Sequence, residues 1–303
     1  MKHLTSLYDL NPSDLSAILT RAADLKALFR KGERPPLLQG RVLAQLFEKP
    51  SLRTRNSFEA AMIHPAGQAS SDHRRSGLNG RESLQDIARV LSSFSDVITM
   101  RTYSHQLIVD FAKHSSCPVI NGLSDERHPC QALTDLLTIQ ESLGTLQDIH
   151  LVFVGDGNNV AMSLAIASAM AGMKMTLAAP KGFEFPSAFL KELSKRYPKH
   201  DVHQVHSAAD AVKTADIVYT DVWASMGQEE DAVRRMKAFA DFQVNEDLMK
   251  AAPKDARFMH DLPAKRGLEV TDGVMDGTQS IVFQQAENRM HLARGLFAWI
   301  LGK

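Results

Sequence analysis

Short apolar runs of strand length alternate with longer stretches of helical periodicity along nearly the whole chain, and nothing else in the sequence limits the fold as much. Antiparallel strands can be joined by two residues, but strands separated by a helix must return by a crossover and lie parallel. The alternation comes in two series. In the first, Asn11-Pro12-Ser13-Asp14 opens a helix running to about Phe29, with Leu15, Ile18, Leu19, Ala22 and Leu25 on one face. Strand-like runs follow at 42–47, 97–100 and 119–120, with helical stretches at 83–93 and 106–114. A long helix over about 129–141, with Pro129 suited to its first turn, leads out of this series. The second series has strand-like runs at 149–154, 175–178, 202–205, 217–220 and 258–260, and helical stretches near 160–171, 186–196, 208–214 and 231–239. Ser142-Leu143-Gly144-Thr145 is the natural joint, and 286–301 closes the chain as an amphipathic helix. The pattern predicts an α/β protein of two doubly wound parallel-sheet domains, 1–141 and 145–284, joined by a linker helix.

Composition narrows the function classes. The 303 residues contain 35 Lys+Arg and 35 Asp+Glu, so no net charge draws the chain to nucleic acid or an anionic membrane. No 18-residue apolar run exists, and residues 1–9 lack the apolar region of a signal peptide, so no membrane partner and a cytoplasmic location are expected. Cys117 and Cys130 are too few for a disulfide framework or a cysteine-rich zinc site, and the twelve histidines show no H-E-x-x-H spacing. No metal is expected.

In open parallel sheets ligands bind beyond the carboxyl ends of strands, and several polar clusters fall there. After the run 42–47 come Pro50, Ser51, Leu52, Arg53, Thr54 and Arg55, and helical periodicity starts at once with Phe58, Ala61 and Met62. A helix N-terminus carries unpaired N–H groups and partial positive charge, and arginine adds forked donors that fit a phosphate or carboxylate. Taken alone, the same string also suits a Ser51 cap followed by solvated arginines. Arg101 ends an apolar strand, where an unpaired burial would be costly, so it lines a cleft or reaches solvent. His128-Pro129-Cys130-Gln131 opens the linker helix with a donor and an amide one turn apart, although a histidine before a helix is commonly a cap. Because these clusters come from both halves, a cleft between two domains is the economical geometry.

Leu151 to Val160 contains a strand, Gly155-Asp156-Gly157 and a helix, as a dinucleotide-binding unit does. The third glycine position is Val160, and the next strand runs into Ala179-Pro180 where an acidic ribose-binding residue belongs. A turn presenting Asn158 or Asn159 accounts for the glycines better, and no cofactor is expected. Asp221-Val222-Trp223-Ala224-Ser225-Met226-Gly227 also follows a strand: Asp221 can pair with an ammonium, and Ser225 and the turn can serve a carboxylate, as a free amino acid requires. A capping turn is the alternative.

Together these segments resemble the aspartate/ornithine carbamoyltransferase superfamily, on its ornithine side. Ser51-Leu52-Arg53-Thr54-Arg55 is similar to the family's S-T-R-T-R loop, His128 to Gln131 to H-P-C-Q, Asp221 to Gly227 to D-x-x-x-S-M-G, His260-Asp261-Leu262-Pro263 to H-C-L-P, and Glu287-Asn288-Arg289 to E-N-R. The motifs keep the family's order over nearly the whole chain. The resemblance implies carbamoyl transfer from carbamoyl phosphate to ornithine, giving citrulline for arginine synthesis, in a homotrimer whose last helix, 285–303, returns to the first domain. It assigns Ser51, Leu52, Arg53, Thr54, Arg101, His128, Gln131, Leu262 and Arg289 to carbamoyl phosphate, and Asn159, Asp221, Ser225, Met226 and Asp261 to ornithine. Arg101, His128, Thr54 and Asp261 are the expected catalytic groups.

Two residues within the quoted motifs depart from the pattern. Leu52 stands for a threonine, keeping the N–H but losing a hydroxyl, and Asp261 stands for a cysteine beside the acceptor amine. Asp221 is expected close to Asp261, where two carboxylates can share a proton. In the segment 76–83, where the family uses a neighbouring subunit's loop, Gly77 occupies a position expected to be glutamine, with Arg81 as a substitute donor. A carbamoyltransferase for lysine, putrescine or an acylated ornithine, or a weakly active carbamoyl-phosphate-binding paralogue, are the other readings these departures allow.

Overall fold

The computed structural model describes residues 2–71, 78, 82–224 and 231–303. Two compact units emerge: Met1–Leu137 with Glu287–Lys303, and Thr138–Ala286.

The first unit contains α1 (Pro12–Arg30), β1 (Val42–Phe47), α2 (Leu52–Ile63), β2 (Gln68–Ser71), α3 (Leu84–Phe94), β3 (Val97–Arg101), α4 (His105–His114), β4 (Val119–Leu123) and the start of α5 (Pro129–Leu143). Its described strands form one all-parallel sheet in the order β2-β1-β3-β4. The apolar runs build the core: Ala44, Leu46, Ile98, Met100 and Val119 pack with Ile108 and Phe111 of α4 and Ala88 of α3. Asn11 caps α1 by accepting from the N–H groups of Ser13 and Asp14, while Asp14 answers to the Asn11 N–H, a reciprocal capping box. The last helix, α12 (Val282–Ile300), lays Glu287 onward on this unit. Gly295 sits so close to α1 that a Cβ there would meet the Ala22 backbone nitrogen at 2.6 Å, so a side chain at 295 would push the two helices apart.

The second unit contains β5 (His150–Val154), α6 (Asn159–Ala171), β6 (Lys174–Ala178), α7 (Ser187–Arg196), β7 (Asp201–Val205), α8 (Ala208–Ala211), β8 (Ile217–Thr220), α9 (Ala232–Ala238), α10 (Glu246–Ala251), β9 (Arg257–His260) and α11 (Asp272–Met275). Its described strands form a second all-parallel sheet, β7-β6-β5-β8-β9. β5 is buried along its whole length and α6 on nearly every side, which explains their almost unbroken apolar sequences.

In each sheet the chain winds outward from its first strand in both directions. With right-handed crossovers, that reversal puts helices on both faces, the doubly wound arrangement the alternation predicted. The structure adds β2, α10 and α11. β2 reads Gln68-Ala69-Ser70-Ser71, with no apolar alternation; it is an edge strand held by parallel pairing with residues 42–45 of β1. The expected helix at 208–214 is one α-turn followed by a 3-10 turn, and the last helix starts at Val282, earlier than its amphipathic stretch suggested. Among the described residues no helix is long and apolar enough to cross a membrane.

Candidate active site

In the first sheet the strand order reverses between β1 and β3, and both strands end in site residues. The chain leaves β1 at Phe47 and enters α2 at Leu52; β3 ends on Arg101. Ser51 is the N-cap residue of α2 with an extended backbone, yet its hydroxyl makes no capping bond, so the cap reading of this serine does not hold. Leu52 is 76% exposed, an apolar side chain where the neighbouring positions are polar. Arg53 is half-buried, and Arg55 turns its guanidinium over the Phe47 ring at 5.7 Å.

Thr54 faces inward and is 1% exposed. Its hydroxyl oxygen accepts from Nη1 of Arg101 at 3.2 Å and from Nη2 of Arg289 on α12 at 2.8 Å. Both lone pairs are thereby engaged, so the hydroxyl can offer a further partner only its proton. Arg289 also donates from Nη1 to Oε1 of Gln131 at 2.5 Å, and Nε2 of Gln131 donates to Oδ1 of Asp135 at 2.8 Å. A continuous line of hydrogen bonds, Asp135–Gln131–Arg289–Thr54–Arg101, thus fixes two guanidiniums and one hydroxyl in a buried setting. His128, just before α5, is buried, and its pKa is pushed well below the usual histidine range by that burial and then by the charges of Arg289 and Arg101. It is therefore a neutral imidazole, which carries a single N–H. Burial likewise pushes the Cys130 thiol up to about 12, which leaves it inert.

Sequence reasoning passed over Lys49. It is buried, with Nζ 4.1 Å from the centre of the Tyr103 ring, and burial together with the Arg101 charge lowers its pKa. Its position in the same strand-to-helix segment was the available signal. The result is a concentration of cations and donors at the N-terminus of α2, suited to a small phosphorylated anion.

The second sheet reverses between β5 and β8, and the same topological position is acidic. Asp221, directly after β8, is buried; Oδ2 accepts from Nδ2 of Asn158 at 2.9 Å and Oδ1 accepts from the Val222 N–H at 2.6 Å. Asn158 also caps α6 through Oδ1, so one asparagine ties the β5 turn to the end of β8. Asn158 makes the bond to Asp221, while Asn159, the residue the resemblance assigns to ornithine, opens α6 and its side-chain oxygen accepts from the Val160 N–H at 3.0 Å. The glycines of this turn have a local cause: a Cβ on Gly157 would come within 2.8 Å of the Glu184 oxygen and the Phe185 nitrogen, a close approach within the protein itself rather than room for a pyrophosphate.

Asp261 follows β9, the neighbour of β8, and one of its carboxylate oxygens lies within 4.8 Å of one of Asp221. Burial and then the Asp261 charge hold the Asp221 carboxyl well above the usual carboxylate range. His260 completes a group in which one atom from each of the three side chains lies within 4.8 Å of the others. Its ring is spoken for: Nδ1 accepts from the Leu262 N–H at 2.9 Å, so Nε2 carries the hydrogen and donates to Glu269 Oε1 at 3.2 Å. With no imidazole lone pair to spare, the group is a carboxylate pair beside a committed histidine and does not suit a metal. Leu262 adopts a left-handed backbone (φ 58°), a conformation held by that N–H bond to the ring.

The structure thus gathers Thr54, Arg101, His128, Gln131 and Arg289 in the first unit, and Asp221, Asp261 and Leu262 in the second. Ser225 and Met226, with Gly77 and Arg81, lie outside the described residues.

Known proteins match along the full chain. Residues 2–141 match the family described as aspartate/ornithine carbamoyltransferase, carbamoyl-P binding domain, and residues 147–300 match aspartate/ornithine carbamoyltransferase, Asp/Orn binding domain. A protein of Anoxybacillus flavithermus named ornithine carbamoyltransferase is 46% identical, covering 99% of this chain and 96% of its own length. One of Pyrococcus furiosus, named ornithine carbamoyltransferase, anabolic, is 45% identical with the same coverage. The solved structure of the ornithine carbamoyltransferase from Pyrococcus furiosus superposes with a TM-score of 0.95 at 45% identity, covering 99% of this chain and 97% of that one.

Proposed function

The chain belongs to the aspartate/ornithine carbamoyltransferase family, and on that premise we propose that it transfers the carbamoyl group of carbamoyl phosphate to the side-chain amine of L-ornithine, giving L-citrulline and phosphate in arginine biosynthesis. The observation that carries the chemistry is the Thr54 hydroxyl held between Arg101 and Arg289 at the N-terminus of α2.

Attack by an amine on carbamoyl phosphate builds negative charge on the carbonyl oxygen, and donors fixed beforehand stabilise that charge without reorganising. Thr54 has only its proton left to give, Arg101 brings a full charge, and neutral His128 brings an N–H; these are the catalytic donors. The phosphate is held by Ser51, Arg53, Thr54 and the N–H groups of the helix start, including that of Leu52, where charge-assisted bonds are strongest. Gln131 orients Arg289, and both serve the carbamoyl group together with the Leu262 carbonyl. Ornithine is bound by Asn159, Asp221, Ser225 and Met226, with Asp261 at the reacting amine. At neutral pH the attacking amine, lysine-like with a pKa of roughly 10.4, must lose a proton at a cost of about 4.6 kcal/mol, so a group that accepts it is part of the machinery. The protein works as a cytoplasmic homotrimer on this reading: Cys117 and Cys130 are both free and buried, as suits a reducing compartment, and Val90 and Phe94 of α3 are apolar and exposed on the single chain.

The test is incubation with carbamoyl phosphate and, separately, L-ornithine, L-lysine, putrescine and N-acetylornithine, following phosphate and ureido product. Ornithine is expected to give both in equal amounts. Phosphate without ureido product, or turnover of another amine but not of ornithine, overturns the assignment.

A further inference from the structure

The Asp221–Asp261 contact has a chemical consequence. Two carboxylates set close together out of water repel one another when both are ionised, so such a pair keeps one proton. Asp221 is 8% exposed, Asp261 is nearly as buried, and a carboxylate oxygen of each lies within 4.8 Å of the other, so this pair holds one proton between them. Around that proton the surroundings are fixed: Asn158 and the Val222 N–H hold the two Asp221 oxygens, and the Asp261 side chain keeps 12% of its surface exposed, so it is the open end of the pair.

We propose that Asp221 and Asp261 form a carboxylate pair sharing one proton, which accepts the proton of the incoming ammonium and so presents the acceptor amine in its neutral, nucleophilic form. This deepens the acceptor reading given above and rests on it. The free pair carries one negative charge and one proton. As the ammonium binds, the pair releases its proton to solvent; one ammonium proton then moves to the pair and restores the shared-proton state, leaving a neutral amine. The amine lone pair forms the N–C bond to the carbonyl carbon, the C–O bond to phosphorus breaks with its electrons leaving on the phosphate, and the second surplus proton on nitrogen goes to that phosphate. The sum is one ammonium and one carbamoyl phosphate dianion giving a ureido product, a hydrogen phosphate dianion and one proton in solvent.

The groups that face the pair leave this proton where it is needed. His260 lies beside both carboxylates, but its Nδ1 is committed to the Leu262 N–H and its Nε2–H to Glu269, so it supplies no competing base. Behind the Asn158 turn, Asp156 is paired with Arg235 at 2.7 Å, and Arg235 also donates to the Trp223 carbonyl at 2.8 Å, so that cation is spent locally rather than on the pair. A single solvated carboxylate would also bind an ammonium, but as an acid of ordinary strength it would leave the amine protonated; burial and then a second negative charge close by raise the affinity for a proton.

The experiment is a pH profile of kcat and KM for ornithine, at saturating carbamoyl phosphate from pH 6 to 10, for the parent protein, Asp261→Asn and Asp221→Asn, with circular dichroism as the folding control. The Asp261→Asn variant is expected to lose roughly 10²-fold in kcat near neutral pH. Its acid limb should move up by a pH unit or more, with part of the activity recovered near pH 10, where solvent deprotonates the amine. A folded Asp261→Asn variant whose profile superimposes on the parent, or whose kcat falls by one constant factor at every pH, overturns the pair. Failure of the acceptor assignment is a different result: the parent then turns over another amine, and the same profile taken with that amine tests the pair unchanged. Absence of turnover with any amine overturns both.

Discussion

The two half-sites occupy the same place in two sheets of the same kind and carry opposite charge. In the first unit the point between β1 and β3 gathers Arg101 and Arg289 around a buried hydroxyl, with Lys49 buried in the same strand-to-helix segment; in the second, the point between β5 and β8 gathers Asp221 and Asp261 around a shared proton. The topology supplies the same thing twice, a crevice beyond strand ends where side chains from non-adjacent segments converge. What the crevice binds is decided by a few residues placed there: guanidiniums against a phosphate, carboxylates against an ammonium. The proton economy differs in the same way. Burial and then nearby cations keep His128 neutral, whereas burial and then a neighbouring like charge keep the Asp221 carboxyl protonated.

The sharpest test of the contrast is Thr54→Val in the cationic half. It removes the carbonyl donor and leaves two guanidinium N–H groups without their acceptor, and kcat is expected to fall 10²- to 10³-fold with the fold retained. A variant within threefold of the parent would mean the hydroxyl takes no part in the reaction. In the acidic half, Asn158→Ala deletes the Nδ2 bond to Asp221; a lost bond to a charged group of about 1.5–3 kcal/mol corresponds to a KM for ornithine raised roughly ten- to a hundredfold. Its KM for carbamoyl phosphate should stay put, and if that constant moved instead, the division of labour between the halves would be wrong. Leu52→Thr adds a hydroxyl at an exposed position, and solvent screening limits the gain, so the KM for carbamoyl phosphate is expected to fall by up to about tenfold with little change in Tm. An unchanged KM would show that position 52 contributes only its backbone.

The smallest expected effect is in stability, and its sign separates the halves. His128 has a depressed pKa in the folded state, so its contribution is present above the unfolded value of about 6.5 and is lost as pH falls below it, with a slope of at most about 1.4 kcal/mol per pH unit. Asp221 has a raised pKa, so its contribution is present below the unfolded value of about 3.8 and is lost as pH rises toward the folded one. Melting curves of the parent, His128→Gln and Asp221→Asn across pH should therefore differ in opposite directions: the histidine variant flattens the acid side, and Asp221→Asn raises Tm near neutrality. Parallel curves for all three would remove both assignments.

Much of this was legible in the chain, for specific reasons. The β1 run stops at a proline followed by a helix start rich in donors, and such a local signature survives folding unchanged. The acidic position after β8 was legible in the same way. Other features were not. β2 has no apolar alternation because only its backbone is used, in pairing with β1. Which of the two adjacent asparagines bonds to Asp221 depends on which side chain points across to the end of β8, a matter of helix phase that the sequence does not encode. Nothing local to Lys49 signals its burial, because the Tyr103 ring it packs on lies more than fifty positions away in the chain.

By itself the sequence determined the class of fold, the strand ends that carry polar groups and the type of ligand each end can take, because periodicity and residue chemistry are local properties. Tertiary structure decided which of those groups touch. Arg289 reaches Thr54 only because α12 packs back on the first unit, and Asp221 meets Asp261 only because β8 and β9 lie side by side. Contact and burial then set charge: the same histidine and aspartate in water would titrate at their ordinary values, and here one stays neutral and the other holds a proton because neighbours from distant parts of the chain exclude solvent and supply the field.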